Sequence, residues 1–139
     1  MKRALINIAI VSLAFGALVF AQDKDKTQPA MAASDSWLKI VDAGNYAQSW
    51  DEASSVFKAA VTQKDWERQI KTVRDPLGAV VSRKIKGAQY TTSLPGAPDG
   101  EYVVIQYDSS FANKKSAVKT VTPMLDKDAK WRVSGYFIR

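Results

Sequence analysis

The sequence predicts an α+β domain over residues 34–139: three N-terminal helices packed on a bent four-stranded antiparallel sheet. Two changes along the chain predict it. Apolar residues recur at helical spacing as far as Asp75, and from Gly78 onward they alternate in runs rich in Val, Ile, Tyr and Thr. Those runs are joined by short turns, which makes consecutive strands an antiparallel meander. Helices first and strands afterwards is the α+β order. Three helices over one face of a bent sheet leave a half-open cone.

Ahead of the domain, residues 1–21 read as a secretory signal peptide. Met1-Lys2-Arg3 is a short positive start, and residues 4–20 form an uncharged apolar run broken by Asn7, Ser12 and Gly16. Val19-Phe20-Ala21 ends the run with small residues at the two positions a signal peptidase inspects. The competing reading is an uncleaved membrane anchor. Seventeen residues at about 1.5 Å each reach roughly 26 Å, a little short of a hydrocarbon core of about 30 Å. The small-x-small ending favours cleavage after Ala21. The expected product is a periplasmic or secreted bacterial protein, not an integral membrane protein once cleaved. Residues 22–33, polar and alternately charged with Pro29 among them, read as a flexible tether.

Each element then has its own signal. Ser34-Asp35-Ser36 can cap a first helix whose apolar face is Trp37, Leu38, Ile40 and Val41, and Gly44-Asn45 ends it. A short second helix over 46–53 carries Ala47, Trp50 and Ala53 on one side. Thr62-Gln63-Lys64-Asp65 resembles a capping box, and Trp66, Ile70 and Val73 make the stripe of a third helix that Asp75-Pro76 closes. Strands are expected over 79–92, 101–111, 116–125 and 130–139. The first two are joined by the turn-rich loop 94–100. On the second strand Val103, Ile105, Tyr107 and Phe111 share a face opposite Tyr102, Val104, Gln106 and Asp108. On the fourth, Trp131, Val133 and Phe137 oppose Arg132, Ser134, Tyr136 and Ile138.

Composition removes several chemistries. The chain has no cysteine, so an exported form is held by packing without disulfides. It has no histidine, which removes Ser-His-Asp and Cys-His nucleophile systems, His-ligated zinc or haem, and an imidazole switch. No metal and no cofactor is expected. Cleavage would leave 18 Lys and Arg against 14 Asp and Glu, a net +4, spread along the sequence. That spread reads as a solvated surface, and nucleic acid is not expected as a partner.

Several stretches resemble a known family. They are Trp37-Leu38 with Asp42-Ala43-Gly44-Asn45-Tyr46-Ala47-Gln48-Ser49-Trp50, Val73-Arg74-Asp75-Pro76-Leu77-Gly78, Ser93-Leu94-Pro95-Gly96-Ala97-Pro98-Asp99-Gly100-Glu101-Tyr102, and the closing segment from Trp131 to Arg139. Together they resemble the bacterial family named domain of unknown function 4019. The element order resembles the cystatin-like roll of the nuclear-transport-factor-2-like superfamily. The resemblance implies the fold and brings no reaction, ligand or catalytic residue. Ala129 departs from it, standing where an Asp-Gly turn would carry glycine. Relatives of the roll include isomerases, dehydratases, hydroxylase subunits and plain binding modules, so the fold leaves function open.

The mouth of the cone is the expected ligand site. Tyr107 and Tyr136 can line it with their rings, the alternative being core aromatics whose hydroxyls reach solvent. A phenol opposite an acid in an apolar cavity is an isomerase arrangement. Asp108 cannot line the same cavity as Tyr107 without a bulge, and Asp42, Asp51 or Glu52 on the helices are the alternatives for that role. Arg74, Arg83 and Arg139 can fork onto a carboxylate or phosphate, or else make intramolecular pairs, as Arg74 with Asp75 or Glu67. The four tryptophans read as core anchors rather than sugar platforms. The ligand-binding candidates are therefore Tyr107, Tyr136, Arg83 and Arg74, with no catalytic residue assigned. The expected function is an exported, non-catalytic module that binds a small molecule or another envelope protein. The alternative is a small-molecule isomerase or dehydratase using Tyr and Asp or Glu. A homodimer through the outer sheet face fits either.

Overall fold

The computed structural model describes residues 25–139. The expected signal peptide and residues 22–24 lie outside them. Helix α1 covers 25–42. It is followed by α2 (Tyr46–Asp51), α3 (Ser55–Ala60), α4 (Gln63–Arg74) and a single 3-10 turn, Asp75–Leu77. Strands β1 (Val80–Thr91), β2 (Tyr102–Phe111), β3 (Lys114–Leu125) and β4 (Trp131–Ile138) follow. They pair antiparallel in the order β1-β2-β3-β4. This is the expected α+β architecture, helices first and one four-stranded antiparallel sheet after, consistent with a nuclear-transport-factor-2-like roll.

The tether expected over 22–33 is helical from residue 25, as the first half of α1. Ala30 and Ser34 are fully buried beside Trp37, Leu38 and Val41, a stripe at helical spacing that continues the apolar face backwards. Small residues on that stripe hide its apolar character from a hydropathy reading. Lys26 adds an ion pair with Glu101, the residue before β2. Helix α3 was also unexpected, making four α-helices among the described residues instead of three. Its six residues are too few to show a period. The local signal is the cap, where Ser54 Oγ accepts from the Phe57 amide at 3.1 Å.

Helix α4 begins as expected, with Thr62 Oγ1 accepting from the Asp65 amide at 3.2 Å. Its buried stripe is Trp66, Ile70 and Arg74. Val73 lies off that stripe, 45% exposed. An arginine therefore occupies the position assigned to an apolar residue.

The sheet is bent by register shifts. In β4, Thr122 pairs with Gly135 and Pro123 with Val133, which leaves Ser134 as an extra residue. Pro123 has no N–H for the ladder, which is why a bulge belongs there. Ser134 Oγ donates to the Thr122 carbonyl at 3.0 Å. The bulge reverses the alternation beyond it. Tyr136 turns inward with Val133 and packs against the core, as its place among the residues lining the cone requires, and Phe137, expected on the face of Val133, is 46% exposed. Along β2 Val103, Ile105, Tyr107 and Phe111 are buried and Asp108 is exposed as expected, while Tyr102, placed on the other face, is buried as well, its hydroxyl donating to the Pro98 carbonyl.

The core lies between the helices and the inner sheet face. Trp66 meets Phe57 and Tyr136 edge-on, at ring-centre distances of 4.9 and 6.2 Å, and Trp37 meets Tyr136 at 5.4 Å. Ser49 joins the two buried indoles. Trp37 Nε1 donates to its carbonyl at 2.7 Å and Trp66 Nε1 to its hydroxyl oxygen at 2.8 Å. No helix among the described residues is long and apolar enough to cross a membrane.

Candidate functional site

Four elements bring charge into one end of the roll. Asp42 is the last residue of α1, Arg74 the last of α4, Arg83 lies on β1 and Lys119 on β3. Asp42 Oδ1 accepts from Arg74 Nη1 at 2.9 Å, and Oδ2 from Arg83 Nη1 at 2.6 Å. The Arg74, Asp42 and Arg83 side chains are only 5%, 15% and 17% exposed, so these charge-assisted bonds are largely shielded from water. Arg74 Nη1 also lies 3.5 Å from the Tyr136 hydroxyl, and its guanidinium carbon sits 5.1 Å from the centre of the Phe111 ring.

Lys119 is the unusual member. It is 0% exposed, and its ammonium has no hydrogen-bond partner. Its contacts are ring faces, with Nζ at 5.2 Å from the Phe111 centre and 6.0 Å from that of Tyr136. Burial pushes the ammonium down from 10.5 to about 8. Arg74 and Arg83 push the same way, and Asp42 offsets part of it. The group still carries its proton at pH 7. Three cations thus share the single carboxylate of Asp42.

Tyr107 pairs directly across from Lys119 and from Ile85. Its hydroxyl lies 2.7 Å from Ser34 Oγ and donates to Asp35 Oδ1 at 3.2 Å, both on α1. The Arg83 guanidinium carbon is 5.7 Å from its ring centre. Burial raises this phenol to about 12, and burial likewise raises Tyr136 to about 12. Both phenols are therefore neutral at any ordinary pH, Tyr107 donating to Asp35 and Tyr136 accepting from Arg74. Ser109 fills the neighbouring inner position of β2, between Arg83 and Ala117, and its buried hydroxyl also has no partner.

All four candidate residues converge here. Arg74 and Arg83 share Asp42, Tyr136 touches Arg74, and Tyr107 lies under Arg83. The partner of Arg74 is Asp42, not Asp75 or Glu67. Other residues weighed from the sequence lie elsewhere. Arg139 stacks on Phe137 at 5.2 Å, and its backbone pairs with Val118. Asp51 and Glu52 line a separate cleft of about 390 Å³ with Trp37, Trp131 and Arg132. Among the described residues no His, Cys, Asp and Glu side chains group in threes to hold a metal.

A family model described as "Protein of unknown function (DUF4019)" matches residues 33–136. The chain belongs to this family. No curated protein and no solved structure matches it. The DUF4019 match takes in every member of the cluster, from Ser34 to Tyr136, and leaves out Arg139. Lys119 and Ser109 are the DUF4019 residues that sequence reasoning missed. Their signal was alternation. Lys119 stands between Ala117 and Val121 on the inward face of β3, and Ser109 between Tyr107 and Phe111 on that of β2.

Proposed function

We propose that this protein is an exported, non-catalytic binding module of the cell envelope. It holds a small molecule or another envelope protein at the end of the roll where α1 and α4 meet the sheet. The observation that carries the reading is Lys119, an ammonium buried without a partner in a cluster already short of acceptors. Such a group is costly to the fold alone and useful to a site that awaits a ligand. Binding is favoured over catalysis by the state of the acids. Each oxygen of Asp42 is held by a guanidinium, and Asp35 is taken up by the Tyr107 hydroxyl, so neither stands free opposite a phenol. Export rests on the charge, apolar run and small-residue ending of residues 1–21. Self-association through the outer sheet face is compatible with this reading.

Native mass spectrometry of the protein purified from the cells that make it tests the proposal. A stoichiometric small-molecule adduct or a co-purifying envelope protein supports it, and the same spectrum counts subunits. A species with neither adduct nor partner, or a preparation that turns over an added ketone or hydroxy compound, overturns it. A mass that begins at Gln22 supports export, and one that begins at Met1 counts against cleavage.

A further inference from the structure

Among the described residues three buried side-chain atoms have no hydrogen-bond partner: Arg74 Nε, Ser109 Oγ and Lys119 Nζ. All three can donate. They belong to one neighbourhood. Tyr107 lies opposite Lys119 and Ser109 opposite Ala117, so Ser109 and Lys119 are diagonal neighbours on the inner face of adjacent strands. Arg74 and Lys119 both approach the Phe111 ring, at 5.1 and 5.2 Å from its centre. Buried polar groups are nearly always paired, so unpaired donors gathered in one place describe the missing partner by its chemistry. It is an acceptor.

Charge narrows it further. Arg74, Arg83 and Lys119 bring three positive charges, and Asp42 returns one negative charge, already divided between the two arginines. A cation is repelled from such a site. A neutral molecule or a buried water can satisfy the hydroxyl of Ser109 but leaves the charge uncompensated. We propose that the cluster is an anion site that takes one oxyanion head group, a carboxylate or a phosphate. Its oxygens accept from Lys119 Nζ, Arg74 Nε and Ser109 Oγ. The side chains of Asp42 and Arg83 are the most exposed of the four charged ones, which makes their pair the point of entry. The anion reaches Lys119 when Arg83 swings aside. The proposal rests on the binding-module reading and gives its ligand a chemical class.

The test is the melting temperature of the purified protein as chloride is replaced by sodium phosphate in one series and sodium acetate in another, at constant ionic strength. A site for either head group raises the melting temperature by about 5 °C between 1 and 100 mM of the favoured anion. The series that responds identifies the head group. Lys119→Met abolishes the response. Ser109→Ala, a smaller change to the core, weakens the apparent affinity about tenfold through loss of a bond to a charged acceptor. Flat curves in both series overturn the proposal, as does an undiminished response in Lys119→Met. If Lys119→Met does not fold, an undiminished response in Ser109→Ala overturns it as well. Failure here is distinct from failure of the binding reading. Flat curves beside a neutral or protein adduct in the native spectrum remove the anion alone, and a bare native mass beside an anion response removes the ligand or partner carried from the cell that the binding reading requires and leaves the anion site standing.

Discussion

Replacing Lys119 with methionine is expected to stabilise this protein at pH 7 in buffer free of carboxylates and phosphate. Methionine has nearly the volume and shape of the lysine stem and fills the same space against Phe111 and Tyr136. Burial lowers the ammonium from 10.5 to about 8. Each pKa unit is worth about 1.4 kcal/mol, so the charged form costs the folded state about 3 kcal/mol. The contacts with the two ring faces return roughly 1 kcal/mol, leaving a net gain of about 2 kcal/mol for the variant. The pH dependence has a definite sign. Between pH 8 and 10.5 the unfolded chain holds a proton that the folded chain has lost, so wild-type stability rises with pH there, by up to about 1.4 kcal/mol per pH unit. Below pH 8 the whole penalty is present. Tyr107 and Tyr136, held at about 12 in the fold, act oppositely above pH 10, where the unfolded phenols ionise first. The clean window is therefore pH 8 to 10. Urea unfolding followed by tryptophan fluorescence at pH 7, 8, 9 and 10 measures it. A variant less stable than wild type at pH 7, or one whose stability rises between pH 8 and 10 as steeply as wild type, refutes the reasoning.

Three further substitutions probe the same framework. Asp42→Asn removes the only carboxylate that Arg74 and Arg83 share and is expected to cost about 3 kcal/mol, read as a lower urea midpoint at unchanged m-value. Ser49→Ala leaves the buried Trp66 indole N–H without its acceptor and is expected to cost about 1 to 3 kcal/mol by the same assay. Ala129→Gly acts the other way. Ala129 sits at φ 63° in the β3–β4 turn, so glycine relieves strain and is expected to add about 0.5 to 1 kcal/mol, seen as a higher melting temperature.

That last site shows what sequence reading can and cannot carry. The turn 126–129 was legible from its residue types, and so was the place where glycine would be at home. Only the structure shows that Ala129 takes the left-handed conformation anyway, with its amide donating to the Asp126 carbonyl at 2.9 Å. The four strands were legible to within about two residues because period-2 alternation is strong and local. Helix α3 and the first half of α1 were not, for opposite reasons. One is too short to show a period, and the other buries Ala30 and Ser34, which carry little or no apolar signal. The reversal at Ser134 was hidden because a bulge is a property of two paired strands, and its cause, Pro123, lies on the neighbouring one.

The site was legible as residue types and invisible as a constellation. Arg74, Arg83, Tyr107 and Tyr136 each stood out singly, yet Asp42 is separated from Arg74 by 32 residues and from Arg83 by 41, and Arg74 from Tyr136 by 62. Contacts of that range follow from which helix end meets which strand, and nothing local to any one residue encodes them. Arg74 and Lys119 carry the more general lesson. Each occupies a position that its element's period assigns to the core, on the stripe of α4 and the inward face of β3. A charged residue at such a position costs the fold free energy unless something pairs with it. Arg74 has found Asp42, and Lys119 has found only aromatic faces. The departure from the apolar pattern is thus the feature of the sequence on which the proposed anion site rests, because packing gives no reason for an ammonium there and a bound anion would.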